Sequence, residues 1–191
     1  MRLTSVLLVV LLLGGCAAAP TLPPVDWNRA KLERQALDQW EMTGRAAVAT
    51  ATDGWTANMT WRQRAADSEL RLQGSLGVGG VRVLSDGRTF EIETSKGEKI
   101  TAEDAAAALE QAIGVPLPVG YLRFWLLGVP APQTAAVEEL DEHGRLSKLE
   151  QDGWKAMYDR YVYMNDAWLP GRVRLENGPL RMRVIVDEWR L

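Results

Sequence analysis

The residues that could carry chemistry in this sequence are few, and their placement does not favour catalysis. His143 is the only histidine and stands in a Glu-His-Gly turn, where an exposed side chain is expected. Cys16 is the only cysteine. One histidine and one cysteine cannot supply the ligands of a zinc site. A Cys-His nucleophile pair is not predicted either, because the position of the single cysteine indicates a different use for it.

Carboxylates and glycines give no stronger indication of an active site. Glu91 with Glu93, and Glu138 with Asp141, are the pairs that could act as acid and base, but their spacing is more typical of solvated strand and turn positions. The glycines at 77, 79 and 80 do not open a helix, so a phosphate-binding loop is not predicted. We therefore predict a protein that is not an enzyme and that uses no metal and no cofactor.

The single cysteine has a different use, because it ends the N-terminal segment MRLTSVLLVVLLLGGC. Arg2 precedes an apolar run over 3–13, which is too short to cross a bilayer and fits the apolar part of a secretory signal. The sequence Leu-Gly-Gly-Cys resembles a bacterial lipobox, in which the cysteine is acylated before cleavage. The alternative is an ordinary signal with an incidental cysteine. In bacterial lipoproteins, an aspartate directly after the acylated cysteine favours retention in the inner membrane. This sequence has Ala17 there, so the resemblance implies sorting to the outer membrane.

These features predict the organisation of the chain. Residues 1–15 are a signal that is removed, Cys16 carries the lipid, residues 16–25 form a tether rich in alanine and proline, and residues 26–191 form one domain. Loss of Arg2 leaves 21 basic against 25 acidic residues in the mature chain, a net charge of −4. No basic run appears, so neither nucleic acid nor electrostatic attraction to anionic lipid is predicted.

The mature sequence has mostly the period of β-strands. A helix is predicted from Asp26 to about Leu37, and the segments that follow alternate apolar and polar residues between turns such as Asp53-Gly54 and Asn177-Gly178. About eleven short strands with local connections predict an antiparallel sheet that curls toward a barrel.

An insertion with helical periodicity interrupts these strands. Thr101 to Asp104 resembles a capping box with Asp104 in place of the usual glutamate, and Gly114 ends the helix that follows. A second short helix runs through Leu122 to Leu127 and is apolar on nearly every side. It is expected to pack between two apolar surfaces or over a cavity, and some of the eight tryptophans are expected to line that cavity.

Several segments together resemble one family, the outer-membrane lipoprotein receptor LolB. They cover almost all of the mature chain in the right order: the lipobox, MTGRAAV (42–48), WTANMTWRQ (55–63), LRLQGSLG (70–77), VPLPVGYLRFWLLGVP (115–130), GWKAMYDRY (153–161), LPGRVRLENG (169–178) and DEW (187–189). The resemblance implies a mainly β fold with an α lid (α+β), an open antiparallel half-barrel of about eleven strands that covers a hydrophobic cavity and is lidded by helices.

The same resemblance implies a function and a set of partners. The cavity would take the acyl chains of client lipoproteins from the soluble periplasmic carrier LolA, and the protein would insert the clients into the outer membrane. The protein would face the periplasm as a monomer, held at the inner leaflet of the outer membrane by its own lipid.

Two groups of residues follow from the resemblance and from the strand pattern. Leu76 matches a leucine at the tip of a loop that family members need to place the client in the membrane, although Gly74-Ser75 stands where a proline is expected before it. The alternative is that Leu76 folds back onto the core. Inward-facing apolar residues are predicted to surround the acyl chains, with methionines favoured because they repack easily: Met42, Ala46, Val48, Met59, Trp61, Leu72, Val83, Ile92, Leu126, Met157, Val173 and Met182.

Two other functions remain compatible with the sequence. One is an envelope lipoprotein of the same shape that binds a lipid or glycolipid, or senses envelope stress, without transferring a client. The other is a structural partner of an envelope assembly that uses the apolar insertion as a protein interface.

Overall fold

The computed structural model describes residues 24–74 and 79–191 and contains one large antiparallel sheet with three helices. The elements follow the chain in this order: α1 (Trp27–Gln35), β1 (Gln39–Ala49), β2 (Gly54–Arg64), β3 (Asp67–Gly74), β4 (Gly80–Ser85), β5 (Phe90–Thr94), β6 (Lys99–Ala102), α2 (Ala105–Ile113), α3 (Val119–Leu126), β7 (Ala136–Leu140), β8 (Leu146–Gln151), β9 (Trp154–Met164), β10 (Ala167–Asn177) and β11 (Leu180–Arg190).

The sheet has eleven strands among the described residues, in the order β6-β5-β4-β3-β2-β1-β11-β10-β9-β8-β7. Every neighbouring pair is antiparallel, and the first and last strands of the chain meet in the middle of the sheet, where Met42 lies opposite Trp189. The two edges, β6 and β7, do not pair with each other. The predicted open sheet of eleven strands is therefore confirmed.

The pairing of the strands places the turns at two opposite ends of the sheet. We call the end that carries the β1–β2 turn the upper end and the opposite end the lower end. The upper end carries the β1–β2, β5–β6, β8–β9 and β10–β11 turns, together with the end of β3 and the start of β4, because Gly74 lies opposite Ala57, Val81 opposite Thr94 and Glu176 opposite Lys155. The lower end carries the β2–β3, β4–β5, β7–β8 and β9–β10 turns. Residues 75–78 lie between two strands whose adjoining ends, Gly74 and Gly80, are at the upper end.

A bulge sits where β1 and β11 meet, between Thr43 and Gly44. Gly44 is buried, and a Cβ atom placed on it would collide with the backbone carbonyl of Ile185. Only glycine allows the two backbones to approach this closely, and bulges of this kind increase the local twist that curls a sheet.

The helix boundaries follow local capping chemistry. Asp26 and Asp104 are the N-caps of α1 and α2, and the Asp104 carboxylate accepts hydrogen bonds from the backbone of Ala106 and Ala107. Gly114 ends α2 in the left-handed conformation, as predicted. The predicted capping box is wrong in detail: Thr101 belongs to β6, and Asp104 is itself the cap and not the third helical residue.

The two faces of the sheet differ in character because strand side chains alternate. The concave face joins α2, α3 and the segment after α3 in one apolar core. The convex face is polar and carries many ion pairs, for example Arg62 with Glu41 and Arg82 with Glu69. Among the described residues, no helix is long and apolar enough to cross a membrane.

Candidate functional site

The concave face brings together most of the residues that the sequence analysis placed around an acyl cavity. Eleven of the twelve are buried members of the single apolar core: Met42, Ala46, Val48, Met59, Trp61, Leu72, Val83, Ile92, Leu126, Val173 and Met182. They come from β1 to β5, β10, β11 and α3, so strands distant in sequence contribute to one surface.

Met157 is the exception, and its assignment to the cavity is wrong. On β9 the buried residues Trp154, Ala156 and Tyr158 alternate with Lys155 and Met157, which are only half-buried. Met157 therefore lies on the convex face with Lys155. Met157 was assigned to the cavity because methionine suits an acyl-binding site, although the alternation of β9 puts it on the same face as Lys155.

The concave face is covered by the protein's own helices. Leu109 of α2, Leu117 before α3, and Leu122 and Leu126 of α3 have no accessible surface. Met42 on the opposing sheet also has none. A side chain without accessible surface borders no space that could hold even a water molecule. The centre of the half-barrel is therefore packed, and the structure is that of a closed molecule.

The C-terminal end of α3 is fastened to the sheet by Gln151, a buried residue of β8. Its Oε1 accepts hydrogen bonds from the Trp125 indole and the Ala131 backbone N–H, both at 2.9 Å. Its Nε2 donates to the carbonyls of Ala131 and Thr134 at 2.7 and 2.8 Å. Tyr158 adds a hydrogen bond to the Trp125 carbonyl at 3.0 Å.

The other end of α3 has no comparable attachment. Pro118 stands at the N-cap position, and no side chain there accepts a capping hydrogen bond. The two ends of this helix are thus held unequally, with its side-chain hydrogen bonds to the sheet concentrated at Trp125. The sequence analysis missed Gln151, although its two-residue spacing from Leu149 puts it in phase with the buried positions of β8.

Charged and phenolic groups in the interior are strongly desolvated. Burial raises the pKa of Tyr158 and of Tyr161 well above the usual range. Burial lowers the pKa of Arg34 on α1, which is 5% exposed and whose Nη1 has no hydrogen-bond partner among the described residues. These groups do not change charge near neutral pH, so they give no acid–base chemistry there.

An apolar opening lies at the upper end, between the starts of β2 and β4 and the last turn of α2. It measures about 530 Å³ and is lined mainly by Trp55, Ala57, Leu72, Val81 and Ile113. Gly74, Gly79 and Gly80 also line it, so it adjoins the segment that contains Leu76.

Two predicted functional residues lie outside the described residues. Cys16 precedes Pro24, where the described chain begins, and Leu76 falls within 75–78. Over the ranges 24–74 and 79–191, no group of three or more histidine, cysteine, aspartate or glutamate residues could hold a metal ion.

Comparison with known proteins adds a family to this geometry. Residues 38–189 match the model of the family described as outer membrane lipoprotein LolB. A protein named outer-membrane lipoprotein LolB from Nitrosococcus oceani is 33% identical, with 100% of this chain and 98% of the relative aligned. One of the same name from Pseudomonas paraeruginosa is 32% identical over 93% of this chain and 90% of its own.

Solved structures with the same fold are more distant in sequence. A LolA superfamily protein from Nitrosomonas europaea superimposes with a TM-score of 0.60 at 10% identity, covering 87% of this chain and 94% of its own. A putative outer membrane lipoprotein-sorting protein domain from Vibrio parahaemolyticus gives 0.56 at 9% identity, covering 87% and 91%. The family match across 38–189, together with relatives aligned along nearly the whole chain, shows that this protein belongs to the LolB family of outer-membrane lipoproteins.

Proposed function

We propose that this protein is an outer-membrane receptor that takes acylated lipoproteins from a LolA-type periplasmic carrier and inserts them into the outer membrane. The observation that carries the proposal is the concave face. The buried side chains of β1 to β5 and of β8 to β11 form one apolar core with α2, α3 and the segment after α3, and Trp27 of α1 packs against it. Membership of the LolB family supports this function and not an enzymatic one.

The need for such a protein follows from the hydrophobic effect. At about 0.8 kcal/mol per CH₂, a sixteen-carbon chain left in water costs on the order of 12 kcal/mol. A client with several chains must therefore move from one apolar site to the next. With no energy source proposed at this site, transfer is downhill, so the receptor must bind the client more tightly than the carrier and less tightly than the membrane.

The packed interior requires a conformational change for the client to enter. The acyl chains would replace Leu122 and its neighbours against the strands, and α3 would move away from the sheet, which breaks the hydrogen bond between Gln151 and Trp125. The apolar opening at the upper end, next to Ile113 at the end of α2, is where we place the entry of the chains.

The attachment to the membrane is also part of the proposal. Residues 1–15 would be removed, Cys16 would carry the lipid anchor, and residues 16–25 would connect it to a monomeric domain that faces the periplasm. Leu76, among glycines beside the apolar opening, would enter the acyl region of the membrane and direct the client there.

The test uses a secreted, anchorless protein with Cys16→Ala, mixed with carrier that is loaded with one acylated lipoprotein. Gel filtration then shows which protein holds the client. Movement of the client to this protein is expected. A client that stays on its carrier at saturating receptor would refute the transfer function and favour an envelope lipid-binding protein without transfer.

Leu76→Glu separates acceptance from release. The variant is expected to accept the client normally and to fail in passing it to liposomes. Leu32→Glu is the matched control, because Leu32 is an exposed leucine on α1, 67% accessible. If both variants release the client as the parent does, Leu76 does not act at the membrane.

A further inference from the structure

Three arginines from two neighbouring strands form a basic patch on the convex face. Arg174 of β10 lies directly opposite Arg183 of β11, and Arg181 is two residues from Arg183 on the same side of that strand. All three are exposed. They do not form a run in the sequence, because the β10–β11 turn separates Arg174 from the other two: the antiparallel pairing of the two strands assembles the patch.

Two of the three arginines, Arg181 and Arg183, have no carboxylate partner among the described residues, whereas Arg174 pairs with Asp159 at 3.2 Å. Toward the lower end, Glu69 lies within ion-pairing distance of Arg62, Arg71 and Arg82. No carboxylate in the described part of the chain lies within 4.0 Å of a side-chain nitrogen of Arg181 or Arg183, although Glu176 is the strand neighbour of Arg181.

Two features of the patch suit a ligand with several negative charges. Like charges directly opposite each other on adjacent strands destabilise a sheet, and in the opposed pair of Arg174 and Arg183 only Arg174 has a counter-ion, Asp159. Next to them, β1 contributes only Ala47 and Ala49, which lie opposite Arg183 and Arg181. These short side chains leave an open groove of about 400 Å³, whose charged lining is the three arginines and Glu176.

The position of the patch indicates which polyanion it meets. Arg181 and Arg183 begin β11 just after the Asn177-Gly178 turn, at the upper end, where the apolar opening beside Trp55 and Ile113 also lies. The described chain begins at the other end: the backbone N–H of Val25 donates to the His143 carbonyl in the β7–β8 turn, at 2.9 Å. A lipid anchor that enters at the lower end does not by itself hold the upper end against a membrane.

We infer that Arg174, Arg181 and Arg183 form a docking surface for the phosphate headgroups of anionic phospholipids. The surface holds the upper end of the domain at the membrane while a client leaves. This inference rests on the proposed function and adds a second membrane contact to the one assigned to Leu76. It also replaces the expectation, drawn from the lack of basic runs, that anionic lipid would not attract this protein.

The experiment measures binding of the anchorless Cys16→Ala protein to two kinds of vesicle. One is phosphatidylcholine alone, and the other contains about 30% phosphatidylglycerol, which gives the vesicle a negative surface potential. The variant Arg181→Ser/Arg183→Ser removes the patch. The control Arg71→Ser/Arg190→Ser removes the same charge from the convex face, at positions 57% and 62% exposed.

Because each basic residue near an anionic surface contributes about fivefold to binding, the patch variant should bind anionic vesicles about 30-fold less. Binding of the control should stay within about twofold of the parent. The parent's own binding should weaken with salt and with removal of phosphatidylglycerol.

Client acceptance from the carrier, measured in the absence of vesicles, distinguishes this inference from the proposed function. The patch variant should accept the client as the parent does. If the parent itself accepts no client, the proposed function is refuted, whereas the result for vesicle binding still stands. Loss of acceptance with unchanged vesicle binding would overturn the inference and assign the patch to the carrier. Equal loss of vesicle binding in both double variants would reduce the effect to net charge and also overturn it.

Discussion

Replacing Gln151 by alanine should loosen α3 while leaving the sheet intact. The side chain is 3% exposed and makes four hydrogen bonds, of 2.7–2.9 Å, to the Trp125 indole and to the backbone of Ala131 and Thr134. Alanine removes all four. The Trp125 indole, the Ala131 N–H and the Ala131 carbonyl are buried and lose these partners, whereas the carbonyl of the exposed Thr134 can bond to water.

At about 1 kcal/mol for each hydrogen bond, Gln151→Ala should lower the free energy of unfolding by roughly 3–4 kcal/mol, since water entering the gap restores part of the loss. For a domain of this size that corresponds to a fall in Tm of about 10 °C. Urea denaturation gives the free energy. Hydrogen exchange of the α3 amides and binding of a hydrophobic dye report the loosening of the helix.

Gln63→Ala is the matched control. Gln63 is also a buried glutamine, 2% exposed, but its hydrogen bonds go to the Trp61 indole and to the carbonyls of Ala65 and Asp67 around the β2–β3 turn. It should destabilise the protein without increasing exchange in α3. Equal dye binding by the two variants, or a loss below about 1.5 kcal/mol for Gln151→Ala, would refute the assignment of Gln151 as the attachment of the lid.

Three further substitutions test the packing and the charges of the fold. Gly44→Val should lower the free energy of unfolding by roughly 3 kcal/mol in urea denaturation, because its Cβ would collide with the Ile185 carbonyl, whereas Gly120→Ala meets nothing within 4 Å and should not. Arg34→Met should raise the free energy of unfolding by roughly 1–2 kcal/mol and raise Tm with it, because it removes a buried cation that has no carboxylate within 4 Å in the described chain. An unchanged or lower Tm would contradict this. Burial alone would raise the pKa of Glu69, but hydrogen bonds from neighbouring arginines outweigh it and the pKa is lowered, so the ionised form stabilises the fold. Glu69→Gln should therefore cost stability at pH 7, and thermal melts should show the difference shrinking as the pH falls below the ordinary value of 4.5. A constant difference down to pH 3 would show that the ion pairs contribute nothing.

The strands could be predicted from sequence because most of them alternate apolar and polar residues over part of their length and are separated by recognisable turns. On β1, for example, Trp40, Met42, Ala46 and Val48 are all buried, as the period of two predicts. Alternation also decided inside from outside more reliably than residue chemistry did. Met157 was placed inside because methionine suits an acyl site, yet its phase with Lys155 already put it on the convex face.

Two kinds of feature could not be predicted from the sequence: polar residues that are buried, and charged residues that strand pairing brings together. Gln151 and Arg34 read as surface residues because burial of a polar group depends on partners far along the chain. The arginine patch depends on the register of β10 against β11, which only the folded sheet defines. Nor could the pattern distinguish an empty cavity from a packed one, since either would be lined by the same apolar residues.

The packed interior explains how a receptor could bind acyl chains and still release them to a membrane. A chain gains about 0.8 kcal/mol per CH₂ in either apolar environment, but entry into this protein first requires Leu122 and Trp125 to leave the strands they cover, and a bilayer requires no such opening. The cost of opening therefore sets how much more weakly the receptor holds a client than the membrane does. A variant that destabilises only the closed state should lower that cost. Gln151→Ala is then expected to bind a client more tightly than the parent and to release it more slowly to vesicles, with roughly tenfold for each 1.4 kcal/mol removed from the opening step. The measurement is the partition of a labelled client between the anchorless protein and increasing amounts of vesicles, with Gln63→Ala as the control; release by Gln151→Ala as easy as by the parent would mean that opening of α3 does not govern the affinity.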